Sequence, residues 1–146
     1  MQGNGGSVFE MIARIGTNCR AGLVSALVLG SAGLCVTVVE WANDLNIDLR
    51  ASTFHPPTLD MLSRYGLTND LMAQGLVARY TQQRDRKDGL IAEFDMHNLK
   101  GDTDFPFRLQ CEQWKLTQLI KAKIERMPDV RILFGTQVES VSQTDD

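Results

Sequence analysis

At 146 residues, 43% hydrophobic and 23% charged, the chain has the size and make-up of one globular domain with a core of its own. A net charge of −3 with no clustered basic face excludes a nucleic-acid partner held by counterion release. Cys19, Cys35 and Cys111 form no CxxC pair, which excludes a disulfide framework and a zinc site and suits a reducing cytoplasm.

Residues 1–9, opening Met1-Gln2-Gly3-Asn4-Gly5-Gly6-Ser7, read as a flexible tail without the basic and apolar regions of a signal peptide. Met11 to Ile15 is a short apolar run that reaches Gly16. A turn of small and polar residues follows, and then Leu23, Ala26, Leu27 and Gly30 fall at the i, i+3, i+4, i+7 spacing of one helix face. Gly33 is placed to end that helix in a left-handed cap. Cys35 to Val39 is a mostly β-branched run, the mark of a strand buried on both faces, and it stops at Glu40. The apolar stretch Leu23–Val39 is interrupted by Ser25, Gly30, Ser31, Gly33 and Thr37, which is wrong for a membrane span.

Strand, turn, helix, strand and acid, in about thirty residues, make the dinucleotide-binding βαβ fingerprint. Gly16 suits the sharp turn out of the strand, and Gly22 suits the close packing of helix on sheet. The helix N-terminus would offer N–H groups to phosphate, and Glu40, eighteen positions after Gly22, would accept from a ribose hydroxyl. The middle of the turn departs from the pattern. Counted from Gly16, reaching Gly22 needs one extra residue, and Asn18 stands where the backbone should approach the pyrophosphate. Asparagine tolerates a left-handed turn, but its side chain crowds the phosphate position. The alternative is a βαβ core element whose glycines serve packing alone.

After a polar linker from Trp41 to Asp48, His55-Pro56-Pro57-Thr58 opens a helix with proline in its first turn. Leu59, Leu62 and Tyr65 form its buried face and Gly66 ends it. A second short helix is expected at 69–74, closing at Gly75. Residues 76–94 read as a β-hairpin around the turn Asp85–Gly89, and a loop with His97, Gly101 and Pro106 follows. From about Cys111 to Met127, Leu116, Leu119, Ile120, Ile124 and Met127 line a long amphipathic helix that Pro128 stops. Val130, Ile132 and Phe134 alternate as a strand, and another is expected to begin at Val138 and Val141. His55 and His97 read as loop or capping histidines, and Cys19 as a small turn residue; neither a catalytic nor a metal-binding set emerges.

Three blocks in order now stand together: Gly16 and Gly22 with Glu40; Asp48–Thr53 running into Pro57–Leu62 and Tyr65-Gly66-Leu67; and Pro106–Gln110 followed by Gln113–Thr117. With them the chain resembles the N-terminal part of the FAD-dependent aromatic hydroxylases, the single-component flavin monooxygenases that include p-hydroxybenzoate and phenol hydroxylases. The resemblance implies an α/β fold with a Rossmann-like parallel sheet of the FAD/NAD(P)-binding type and an added β-hairpin. The strands near 11–15, 35–39 and 130–134 would be neighbours. It implies FAD as cofactor, NADH or NADPH as co-substrate and an aromatic substrate. By the same resemblance Glu40 holds the adenosine ribose, Arg50 lies along the pyrophosphate and flavin, and Gln113 contacts the ribityl or flavin region. Arg108 and Gln110 would be further neighbours. An arginine can neutralise a diphosphate with a fork of donors, and a helix-start amide can donate and accept at a flavin edge. The plainer readings are a surface salt bridge for Arg50 and a polar helix start for Gln113.

Trp41 stands where the family usually carries a basic residue. Residues 10–146 match only part of the family's FAD-binding domain, so the expectation is a portion that binds FAD and is catalytically incomplete alone. It would self-associate through an exposed sheet edge near Val138. A non-catalytic nucleotide-binding remnant and a ligand-free structural domain are the alternatives.

Overall fold

The computed structural model describes residues 11–15, 20–47, 49 and 51–142, with side chains from Ala21 onward. The expected tail at 1–9, the turn residues Gly16, Asn18 and Cys19, and Arg50 lie outside the described residues. In chain order the elements are β1 (Met11–Ile15), α1 (Arg20–Ser31), β2 (Val36–Glu40), β3 (Thr53–Phe54), α2 (Pro56–Ser63), α3 (Thr68–Met72), β4 (Leu76–Ala78), β5 (Tyr80–Asp85), β6 (Gly89–Asp95), a 3-10 turn (Met96–Leu99), β7 (Arg108–Gln110), α4 (Gln113–Ile124) and β8 (Val130–Leu133). They form two compact units, one of Met1–Ile47 with Ile120–Asp146 and one of Asp48–Leu119.

The first unit is built on a parallel sheet of order β1-β2-β8, in which Met11 lies beside Val36 and Val36 beside Val130. The three expected strands are therefore neighbours. The run Val36-Thr37-Val38-Val39-Glu40 is buried along its whole length because it is the middle strand. Helix α1 presents Leu23, Ala26 and Leu27 as its buried face. Each leucine contributes about 1.5–3 kcal/mol on leaving water. After α1 the Gly33 N–H donates to Gly30 O at 3.0 Å and Leu34 N–H to Leu29 O at 3.1 Å. This pair of bonds satisfies the last carbonyls of the helix and needs a left-handed residue, here Gly33 with φ +81°. Beyond β8, Gly135 N–H donates to Ala42 O at 2.9 Å and Thr136 N–H to Glu40 O at 3.0 Å, tying 135–136 to the end of β2.

In the second unit β3 and β4 flank β7 in an antiparallel sheet, and Leu109 sits at its centre opposite Phe54 and Val77. Pro56 opens α2 as expected, at a position whose N–H has no helical partner anyway. Leu59 and Leu62 of α2 and Leu71 of α3 are fully buried. The buried Thr68 hydroxyl donates to Leu59 O at 2.7 Å. Gly75 enters β4 where a Cβ would lie 2.9 Å from Leu109 Cδ1, from Cys111 Cβ and from the Gln110 carbonyl oxygen, so no side chain fits.

Three expectations change here. The segment 76–94 is not one hairpin: β4 pairs with β7, and the hairpin is β5 with β6. Arg79 is the break, because its side chain is committed to Asp95 at the hairpin's open end. The strand expected from Val138 does not form through Ser142. Its apolar residues, Val138 and Val141, stand three apart, which gives a strand no apolar face. The long helix runs only Gln113–Ile124, since Cys111 N–H is taken by Ser52 O at 2.8 Å as an extension of the sheet.

The hairpin carries a titration that can be checked. Arg79 donates from Nε to Asp95 Oδ1 at 2.8 Å and from a terminal nitrogen to Oδ2 at 2.5 Å. That donation, ahead of the His97 N–H bond, holds the Asp95 carboxyl down at about 2 against an ordinary 3.8. A lowered carboxylate stabilises the fold fully above its ordinary value and loses that contribution as pH falls through the folded one. In a carboxyl-carbon NMR titration Arg79→Ala should move the Asp95 midpoint upward toward 3.8. An unmoved midpoint would assign the depression to the His97 N–H instead.

Candidate functional site

The middle strand of a parallel sheet delivers its last residue to the carboxyl end of the sheet, where α/β folds bind ligands. Here that residue is Glu40, whose side chain is buried, with 2% of its surface exposed. Oε1 accepts from Ala42 N–H at 2.9 Å. Oε2 is buried and has no partner among the described residues. Leaving a buried acceptor unsatisfied costs about 1–3 kcal/mol, more when it is charged. The strand end therefore holds a buried acceptor that no described donor satisfies. Gly22 lies in the first turn of α1, in the same unit.

In the second unit, the central strand β7 begins with Arg108, and α4 begins with Gln113. Arg108 Nε and Gln113 Oε1 are also buried without a partner among the described residues, while the Gln113 N–H donates to Ala51 O at 3.3 Å. Gln110 is different. Its Nε2 donates to the Ser52 hydroxyl at 2.6 Å and its Oε1 accepts from the Thr53 hydroxyl at 3.3 Å, so both ends of its amide already have partners. A cleft of about 430 Å³ is lined by Ser52, Gln110, Cys111 and Lys115 among others. The Lys115 ammonium is held there by the Glu112 carboxylate at 2.6 Å and the Gln74 carbonyl at 3.0 Å, and burial pushes the Cys111 thiol up.

Sequence reasoning did not single out the buried Nδ1 of His97, which sits in the 3-10 turn after β6 and has no partner among the described residues. Nothing in spacing or composition marks it, because its burial depends on how the turn folds back. His55 occupies the N-cap position of α2, but its side chain makes no capping bond. Among the described residues no helix is long and apolar enough to cross a membrane.

Residues 15–146 match the family described as FAD binding domain. The chain belongs to that family. This FAD-binding domain is 33% identical over 124 residues to para-nitrophenol 4-monooxygenase of Pseudomonas sp. (strain WBC-3), with 85% of this chain and 31% of the relative aligned. It is 30% identical over 117 residues to 6-hydroxy-3-succinoylpyridine 3-monooxygenase of Pseudomonas putida (strain DSM 28022 / S16), covering 80% of this chain and 30% of the relative. The crystal structure of p-nitrophenol 4-monooxygenase from Pseudomonas putida DLL-E4 superposes with a TM-score of 0.84 at 31% identity, covering 94% of this chain and 34% of that one. The FAD-binding domain thus spans about a third of the length of the relatives it matches. The expected fold, with its parallel sheet and FAD as cofactor, agrees with these findings.

Proposed function

We propose that this FAD-binding domain holds the cofactor of a monooxygenase that hydroxylates an aromatic ring with NADH or NADPH and O2. The buried Oε2 of Glu40, without a partner among the described residues, is the observation that carries the reading. A ribose offers hydroxyl donors that a carboxylate at a strand end can accept, and the second oxygen is already fixed by Ala42 N–H, so the orientation is set before binding. In the second unit the Arg108 guanidinium has a donor to give, and the Gln113 amide an acceptor. The resemblance gives Gln113 the ribityl or flavin region, with Arg108 a neighbour of the cofactor and Gly16, Gly22 and Arg50 toward the phosphates.

Bound FAD would supply the redox and oxygen chemistry, and the protein's share is to position the ring and keep water away. The named relatives act on a nitrophenol and a hydroxypyridine. The substrate proposed here is likewise a hydroxylated aromatic ring. The reading places the protein in the cytoplasm, where Cys35 and Cys111 stay free thiols. Self-association belongs to it as well, through β8, which among the described residues has one strand neighbour in its sheet.

Glu40→Ala tests the reading. Loss of charge-assisted hydrogen bonds worth about 1.5–3 kcal/mol should weaken FAD roughly 10- to 150-fold in a calorimetric titration. Equal affinities of the two forms would reduce Glu40 to a strand-end acid.

A further inference from the structure

The cleft of about 430 Å³ in the second unit is lined by none of Glu40, Arg108 and Gln113, the residues that carry the cofactor reading. Its polar side chains can be followed hydrogen by hydrogen. Gln110 Nε2 has two and gives one to the Ser52 oxygen at 2.6 Å. The Ser52 hydroxyl accepts there, and its own hydrogen has no acceptor among the described residues. The Lys115 ammonium has three and places two, on Glu112 Oε2 at 2.6 Å and on Gln74 O at 3.0 Å. The nearby acceptors are taken, Gln110 Oε1 by the Thr53 hydroxyl and Gln74 O by Lys115. Three donor hydrogens are left over, one of them on a cation. The ion pair is also unequal. Only 21% of the Lys115 side chain is exposed against 42% of Glu112, so the ammonium is the enclosed partner and the carboxylate the outer one. Leu49 and Leu76, both largely open to water, add apolar surface to the same cleft.

Spare donors around an enclosed cation, with leucines beside them, complement a flat apolar molecule that ends in an anionic oxygen. We propose that this cleft binds the phenolate end of a hydroxylated aromatic ring, the oxygen held by Lys115, Ser52 and Gln110 and the ring against Leu49 and Leu76. The aromatic class rests on the function proposed above; the cleft adds where in this chain that class is recognised. Each spare hydrogen gains a charge-assisted bond to the phenolate. The volume falls in the usual range for a small-molecule site.

The probe is 4-nitrophenol, whose visible absorbance belongs to its phenolate form, added to the full chain without FAD. Held by these donors it ionises more readily, so near its own titration midpoint the protein should raise the phenolate band. By calorimetry Lys115→Met should weaken binding roughly 10-fold or more, as expected for losing a charged donor. Glu112→Gln should act in the opposite sense and tighten binding about two- to five-fold, by freeing the ammonium from its partner. Circular dichroism should be unchanged in both, since an ion pair of this kind adds little to stability. If both variants weaken binding, or neither alters it, the ammonium does not receive the ligand and the proposal falls. A chain that binds FAD but neither binds nitrophenol nor raises its band would overturn this site and leave the cofactor reading standing. Competition between FAD and nitrophenol would overturn it too, by giving the cleft to the cofactor. An intact nitrophenol response beside FAD binding that ignores Glu40→Ala would sink the cofactor reading and support this one.

Discussion

Leu109→Ala should destabilise the protein by about 2–5 kcal/mol, the range for truncating a fully buried leucine. Leu109 is fully buried on β7, the middle strand of its sheet, with Phe54 and Val77 opposite it on either side. The vacated space cannot close easily. One wall is the Gly75 backbone, which already approaches the strand as closely as a residue without a side chain can. Urea unfolding should show a lower midpoint with an unchanged slope. A loss under about 1 kcal/mol would mean the strands collapse onto the gap, against the close packing described.

Leu27→Ala is expected to cost a similar 2–5 kcal/mol, through the other unit. Leu27 and its face-mates Leu23 and Ala26 are essentially inaccessible, and α1 packs on β1 and β2. Against a typical domain stability of about 5–15 kcal/mol the change is large. It should also loosen the end of β2 and so Glu40, because α1 packs on that strand. Thermal unfolding with and without saturating FAD separates the two effects. A fall in midpoint that FAD fully restores would show that the site itself is intact.

Much of the first unit was legible because its signals are local and agree with one another. Leu23, Ala26 and Leu27 keep helical spacing, Gly33 stands at the cap, and the β-branched run up to Glu40 has the composition of a middle strand. The second unit was less legible. Two-residue β3 and three-residue β7 are too short to show a period, and they exist because Cys111 and Gln113 donate to Ser52 and Ala51 across a long stretch of chain. Nor can alternation at 76–78 reveal that the partner is Arg108–Gln110 rather than the next strand along. Of the candidate site residues, Glu40, Arg108 and Gln113 could be named from their blocks. What sequence could not show is that each has a buried polar atom without a partner among the described residues. That is a property of packing, and it is also why Gln110, in the same block, proves to be bound up within its sheet.

The pairing of β2 with β8 also sets a timetable for synthesis. Val36 finds Val130 only after the whole of Asp48–Leu119 has been made. At ribosomal rates of roughly 5–20 residues per second, that leaves one edge of β2 waiting on the order of 5–20 s. The waiting segment, Val36-Thr37-Val38-Val39, is uncharged and β-branched, the composition that templates aggregation when an edge is open. Anything that delays translation or folding between those residues prolongs that exposure. The yield of the parallel sheet therefore depends on how fast a stretch of chain that takes no part in it is completed.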